Sequence, residues 1–241
     1  MTTTTMKPTL FGFGASTMAA TLALGATLAL AAPLAAQDKP TLAVLDLQDG
    51  GSIGPDAQDL SRLGVGLAMM LTTEMSRNDR VTMVERDQIQ DIVAEHRLNL
   101  SGMVDPSTAA EVGRLLGAKY VLLGGFTDVF SNLRIDVRVV DVETGRIIRA
   151  QEQTSERENL FRSVSRLAEA LFRDLELQPA GPTPQPAPVP ARAVIFFSRG
   201  VGYEDAGDSA QAAAMYRRAL EIHADYADAR ERLARIEGAG A

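Results

Sequence analysis

The residues able to do acid–base, thiol or metal chemistry are few and scattered. Cysteine is absent, and the two histidines, His96 and His223, fall in different predicted segments, so a thiol nucleophile, a disulfide framework and a zinc site are all poorly supplied. His96 follows Ile89, Ile92 and Val93 along one side of a predicted helix, with no nucleophile or orienting carboxylate assignable beside it. It reads as a packed or rim histidine. The paired carboxylates Asp46 and Asp49 could hold a cation, although a solvated strand end is the more ordinary reading. Gly50-Gly51, Gly64-x-Gly66 and Gly124-Gly125 match neither GxGxxG nor a P-loop; a turn and close strand packing explain the first and last. The sequence therefore predicts no catalytic, cofactor-binding or metal-ligating set and no cofactor, and the chain reads as not an enzyme.

Without a chemical centre, the elements themselves have to be read. At 241 residues with 46% hydrophobic content, the chain can hold one ordinary core and a smaller unit. Its formal charge of -7 argues against nucleic acid as the main partner. Residues 1–36 read as an export signal: Lys7 opens it, Leu10 to Leu34 is apolar and rich in small residues, and Ala29-Leu30-Ala31 or Leu34-Ala35-Ala36 offers a cleavage site. An uncleaved anchor competes, since the run is long enough to span a bilayer. Cleavage would leave a periplasmic chain with no membrane span, and no cysteine at the exit to carry a lipid.

Residues 37–177 read as an α/β domain. Thr41 to Leu47 is the first strand. From Asp56 a helix carries Leu60, Leu63, Leu67, Leu71 and Met75 on one side, while Val65, Met69 and Met70 widen the stripe. Met69 and Met70 are thus candidates for self-association, the alternative being a helix well buried in its own domain. Val81 to Val84 is a second strand, and strand–helix–strand order calls for a parallel pair. A helix opens at Glu85, and another runs from Asp105-Pro106, an N-cap with proline at the first helical position, to a stop at Gly117. Tyr120 to Phe126 is apolar or glycine throughout and predicts a central strand covered on both faces. Leu133, Ile135, Val137 and Val139 alternate with polar residues, so the next strand has one dry face; the turn Asp141 to Gly145 leads to Arg146 to Gln151. Leu160 to Leu175 closes the domain as an amphipathic helix. The expected fold class is α/β: a mixed-sheet α/β sandwich, with helices covering one face well and the other less completely.

TLAVLDL, VTMVERDQIQDIVAEHRL, AAEVGRLLGAKYVLLGGFTDV and RVVDVETGRII, in that order and spacing, resemble the CsgG family of curli production assembly and transport components. The resemblance covers roughly Thr41 to Leu175. It implies an exported, non-enzymatic envelope protein, with a role in assembly or secretion and a homo-oligomer, since family members form rings. Channel-forming relatives carry long amphipathic hairpins for a membrane barrel, and a membrane strand needs about 9 to 11 residues. Here Phe130 to Leu133 and Asp141 to Arg146 are simple turns, and the lipidation cysteine is missing. A member that keeps only the periplasmic domain is the expectation.

Residues 178–190, QPAGPTPQPAPVP, read as an extended proline-rich tether to a mobile second module. In residues 191–241, Phe196, Gly200, Tyr203, Ala212, Tyr216 and Ala219 stand at tetratricopeptide spacings, and GDSAQAAAMYRRALEIHADYADA resembles the second half of that repeat, with departures at Arg199 and Ala224. This predicts a small all-α helical hairpin with Tyr226 to Ile236 as a capping helix. The resemblance implies an inner surface of Val194, Phe197, Val201, Glu204 and Asp205, which could hold a peptide of another envelope protein or dock on the rest of the chain. The leading functional expectation is an assembly or secretion accessory or scaffold, in the periplasm or at the outer membrane, acting through protein–protein contacts. The competitor is a periplasmic module that senses a small molecule or glycan; an outer-membrane channel ranks below both.

Overall fold

A computed structural model describes residues 39–96, 98, 100, 104–177 and 187–239, all within one compact unit. The segment expected to be an export signal and most of the proline-rich stretch lie outside the described residues.

The architecture is a mixed α/β sandwich with a helical part, built on a six-stranded sheet. Strand β1 (Thr41–Val44) lies between β3 (Thr82–Met83) and β4 (Tyr120–Val129), parallel to both, as the strand–helix–strand order requires. Strands β4, β5 (Asn132–Asp141) and β6 (Arg146–Glu156) then run antiparallel, giving the order β3-β1-β4-β5-β6. A two-residue strand that the sequence does not announce, β2 (Gln48–Asp49), adds to β4 beyond the end of β1. Gly124 sits where β4 and β5 come closest: a Cβ there would overlap the Asp136 carbonyl oxygen.

The helix expected from Asp56 is two helices, α1 (Ala57–Leu60) and α2 (Leu63–Ser76), broken at Ser61-Arg62. The break brings the start of α2 onto the chain leaving β1, where the Leu47 N–H donates to the Gly64 carbonyl oxygen at 3.3 Å. Helix α3 spans Arg86–Glu95. In α4 (Pro106–Leu115) the cap forms as predicted: the Asp105 carboxylate accepts from the Ser107 and Thr108 N–H groups at 2.9 and 3.1 Å, and Gly117 ends the helix at φ 64°. Helix α5 (Leu160–Asp174) follows a 3-10 turn over Arg157–Asn159.

Alternation along the strands sends side chains to two cores. Leu42, Val44, Leu122, Phe126 and Ile135 pack with α2 and α5, whereas Ala43, Leu45, Val121, Leu123 and Val142 pack with α3 and α4. The second cover stops short of outer β5 and β6, where Arg134 lies between Asp136 and Glu152 in the open. On the outer strand β6 a bulge at Ile148, opposite Val139 and Val140 of β5, interrupts the ladder, and the charges of β6 further protect that edge from chance pairing.

Helices α6 (Ala191–Asp205), α7 (Ser209–Ile222) and α8 (Ala227–Ala239) complete the described chain. Gly200 in α6 lets the Tyr216 ring of α7 approach so closely that a Cβ would overlap it. These helices are docked on α2, which corrects the expectation of a mobile second module. The reason lies in α2, buried from Leu63 to Ala68 without interruption, so that sheet and α5 cannot cover all of it. Helix α6 takes the remaining face, with Gly66 of α2 against Ser198 and Val194.

Candidate functional site

The side chains singled out by the sequence converge on the seam between α2 and α6–α8. Val194, Phe197 and Val201 are each 0% exposed. Val194 joins the core shared with α2 and α5; Phe197 and Val201 pack with Val65, Tyr216 and Tyr226, the Phe197 ring centroid lying 5.7 Å from Tyr216 and 4.9 Å from Tyr226. Of the two uses open to this strip, the structure has the docking one; a peptide would find no free surface there. Met69 packs against the same cluster and Met70 against the central core, so neither is a bare contact face for a second copy. The extra apolar width of α2 is taken up by α6 within the chain.

The acidic end of the strip has cationic partners. Arg86, at the start of α3, forms a fork with Asp46 (Nε to Oδ1 3.0 Å, NH2 to Oδ2 2.7 Å) and reaches Asp205 of α6 at 2.9 Å. Burial opposes the Arg86 charge, but hydrogen bonds with Asp46 and Asp205 outweigh it and raise the pKa further. Arg232 of α8 donates to Glu204 at 2.9 Å and lies 3.5 Å from Asp87; the Tyr216 hydroxyl donates to the same Glu204 oxygen at 2.5 Å. Desolvation, then Glu204, pushes the Tyr216 hydroxyl above its ordinary range. Asp46 is thereby neutralised by Arg86, and Asp49 accepts hydrogen bonds from Gly51 N and Ser52 N, so the cation reading of this pair is replaced by an ion pair and a turn.

Two openings flank the seam. A charged cleft of about 200 Å³ is lined by Arg86, Arg232, Arg235, Asp87 and Asp228. A more apolar one of about 280 Å³ lies among Met70, Phe161, Val189 and Tyr226, with Glu74 and Asp228 at its edge. Burial raises the carboxyl pKa of both Glu74 and Asp228, Arg77 partly offsetting it at Glu74 and Arg232 at Asp228. Among the described residues no group of three or more His, Cys, Asp or Glu side chains could hold a metal ion. His96 is exposed at the end of α3. The arrangement can lock helices together and admit a small or elongated guest.

A second feature is not evident from the sequence. The β4–β5 turn is Phe130-Ser131, with φ 50° and 69°, the left-handed pair that favours Asn-Gly. Phe130 is 68% exposed, beside Val129 at 42% and Ile53 at 57%. Ile53 bridges Val129, and its carbonyl accepts from the Phe130 N–H at 2.9 Å. Beneath them Asp128, 1% exposed, takes a fork from Arg157 (2.8 and 2.9 Å) and accepts from Ser131 N at 3.0 Å. The only hint is the phrase TDVFSN, in which a turn of Phe-Ser replaces the usual small or amide residues.

Residues 25–133 match the family model described as curli production assembly/transport component CsgG. Over those residues the chain is similar to the CsgG family. The match ends inside β5, leaving β6 and α5–α8 of the chain outside it. No curated protein matches it. Among solved structures it is similar to the LpoB C-terminal domain from Salmonella enterica (20% identity, 49% of this chain and 83% of that one, TM-score 0.34). It is also similar to TolB from Acinetobacter baumannii (14% identity, 58% and 29%, TM-score 0.39). A third is the PelC dodecamer from Paraburkholderia phytofirmans (17% identity, 58% and 89%, TM-score 0.35). At these values the likenesses carry no functional weight.

Proposed function

We propose that this chain is a non-enzymatic periplasmic envelope protein, an accessory or scaffold in assembly or secretion that works through protein contacts. The observation that carries the reading is the apolar corner of Ile53, Val129 and Phe130. Three large apolar side chains stand exposed together on a turn whose backbone costs about 1–3 kcal/mol per strained residue, with a buried ion pair holding it rigid. Among the described residues nothing gains from that arrangement, whereas a partner would. The CsgG-family match supports the envelope setting, and short β4–β5 and β5–β6 turns support a role other than a channel wall. Among the described residues no helix is long and apolar enough to cross a membrane.

The test is photo-crosslinking in an exporting cell from a reactive residue placed at position 130, with fractionation of the product and a control at exposed Arg114. The reading expects a periplasmic chain that crosslinks to envelope proteins, or to itself, from position 130 and not from 114. A cytoplasmic chain, or equal silence at both positions, contradicts it. Ligand sensing is a second reading, favoured by the apolar opening beside Met70 and Tyr226; it predicts a melting temperature that rises with a small apolar ligand and no crosslink from position 130.

A further inference from the structure

Phe196 lies on the outer side of α6 and is surrounded by cations. The guanidinium carbons of Arg192, Arg199 and Arg218 stand 6.0, 6.0 and 5.8 Å from its ring centroid. Three arginines on one ring are unusual in a chain of net charge -7. Arg199 is bound by Asp59 at 2.6 Å; Arg192 and Arg218 are exposed and form no salt bridge with any described residue. The ring attracts the cations over its face and keeps their forks close together. Their own mutual repulsion is relieved by an anion.

The ring also lines a cavity of about 540 Å³, with Ile195 and Pro190 as its apolar part and Asp59 and Glu158 among its polar part. Arg157 belongs to the same lining, and its N–H donates to the Ser131 carbonyl oxygen at 2.8 Å. Arg157 thus ties the cavity wall to the turn that carries Phe130. Free guanidinium forks, an aromatic ring and an adjoining apolar hollow are the composition of energetic centres in protein interfaces.

We propose that the arginine collar around Phe196, with the adjoining hollow, is a docking site for a protein segment in which carboxylates flank an apolar side chain. The carboxylates meet Arg192 and Arg218, and the apolar side chain enters the hollow beside Phe196 and Ile195. Asp59 and Glu158 on the rim repel a uniformly anionic chain or surface, so the site favours a peptide over an anionic glycan or bilayer. The proposal rests on the reading of this chain as a contact protein and names where and what it contacts.

The test titrates residues 37–241 with a fluorescent peptide, acetyl-Asp-Glu-Leu-Asp-Glu-amide, followed by anisotropy. Comparators are its Leu→Ser form, a pentaglutamate and phosphatidylglycerol vesicles. Arg192→Gln with Arg218→Gln is the variant, both positions being exposed and without a salt bridge to any described residue, and an unchanged circular-dichroism spectrum and urea midpoint are its folding control. The expectation is saturable binding that weakens at least tenfold in the variant and at least threefold for the Leu→Ser and pentaglutamate forms. Equal binding of pentaglutamate, preference for the vesicles, or an unchanged affinity in the variant overturns the proposal. So does a dimer of the unliganded chain that the variant dissolves, since a second copy would then be the occupant. If the peptide is ignored while position 130 still crosslinks in cells, the collar fails and the contact function stands.

Discussion

Replacing Gly66 by alanine tests whether α6 is part of the body of the protein. The added Cβ would overlap Ser198 Oγ and come to 3.0 Å from Val194 Cγ1, while Ser198 Cβ would stand at 3.4 Å. Overpacking of this kind costs about 1–3 kcal/mol. Against it, alanine in place of glycine within a helix returns roughly 0.8–1.0 kcal/mol. Because the steric cost exceeds the gain in helix propensity, Gly66→Ala should destabilise by about 1 kcal/mol. Ser198→Ala removes the atom met first. Alone it should be close to neutral, because Ser198 Oγ donates only to the Val194 carbonyl oxygen of its own helix, at 2.7 Å. Combined, the two should leave a protein at least as stable as the parent, a coupling of roughly 1 kcal/mol between residues far apart in sequence. Urea unfolding of the four proteins, with a common m-value, measures it. Additive effects would refute the docking of α6 on α2, as would a Gly66→Ala midpoint above the parent's.

Three further outcomes follow from the geometry. Phe130→Asn with Ser131→Gly puts the favoured pair into the left-handed turn and should stabilise by about 1–2 kcal/mol in urea; a lower midpoint would show that the Phe130 side chain supports the fold. Gly124→Ala drives a Cβ into the Asp136 carbonyl oxygen and to 3.0 Å from Val137 Cα, so β4 and β5 must part; the loss should exceed about 3 kcal/mol, and a native circular-dichroism spectrum with an unchanged melting temperature would contradict the register. Asp228→Asn probes the carboxylate that burial holds above its ordinary pKa. A raised folded pKa means that the cost is absent below the unfolded value, about 3.9, and sets in as pH rises through the folded one. The variant's melting temperature should exceed the parent's at pH 7, with the gap closing near pH 3.5; a gap that widens on acidification would reverse the assignment.

Much of the sheet was legible because burial leaves a period-two trace. Leu133, Ile135, Val137 and Val139 alternate with polar neighbours, and each falls on the α2/α5 side. The Asp105-Pro106 start of α4 was equally clear, since cap and ring restriction act within one turn. Strand β2 was not, because two residues ending in Asp49 owe their place to β4 and leave no pattern of their own. The α1–α2 break was hidden in a continuous apolar stripe. At the seam, the strip from Val194 to Asp205 was visible as a strip but not as a covered one; periodicity says which side of a helix is apolar, not what lies against it. The forks of Arg86 with Asp46 and Arg157 with Asp128 were invisible for a related reason. In the sequence Asp46 reads as a solvated strand end and the other three carry no signal, and only the fold brings them together. The strained Phe-Ser turn was placed correctly as a turn, yet its exposure depends on Ile53, far away in the chain.

The docking of α6 on α2 also sets an order of events. The α2 helix is made well before Phe197 and Tyr216, yet Val65 and Met69 wait for those residues before they are covered. Until then a nascent molecule presents an uncovered apolar helix flank, the kind of surface that attracts chaperones or other nascent copies. A chain truncated before Ala191 would keep that flank bare permanently. Loss of α6–α8 would convert a folded molecule into an adhesive one, and these helices act in effect as a stopper fitted after the sheet is made.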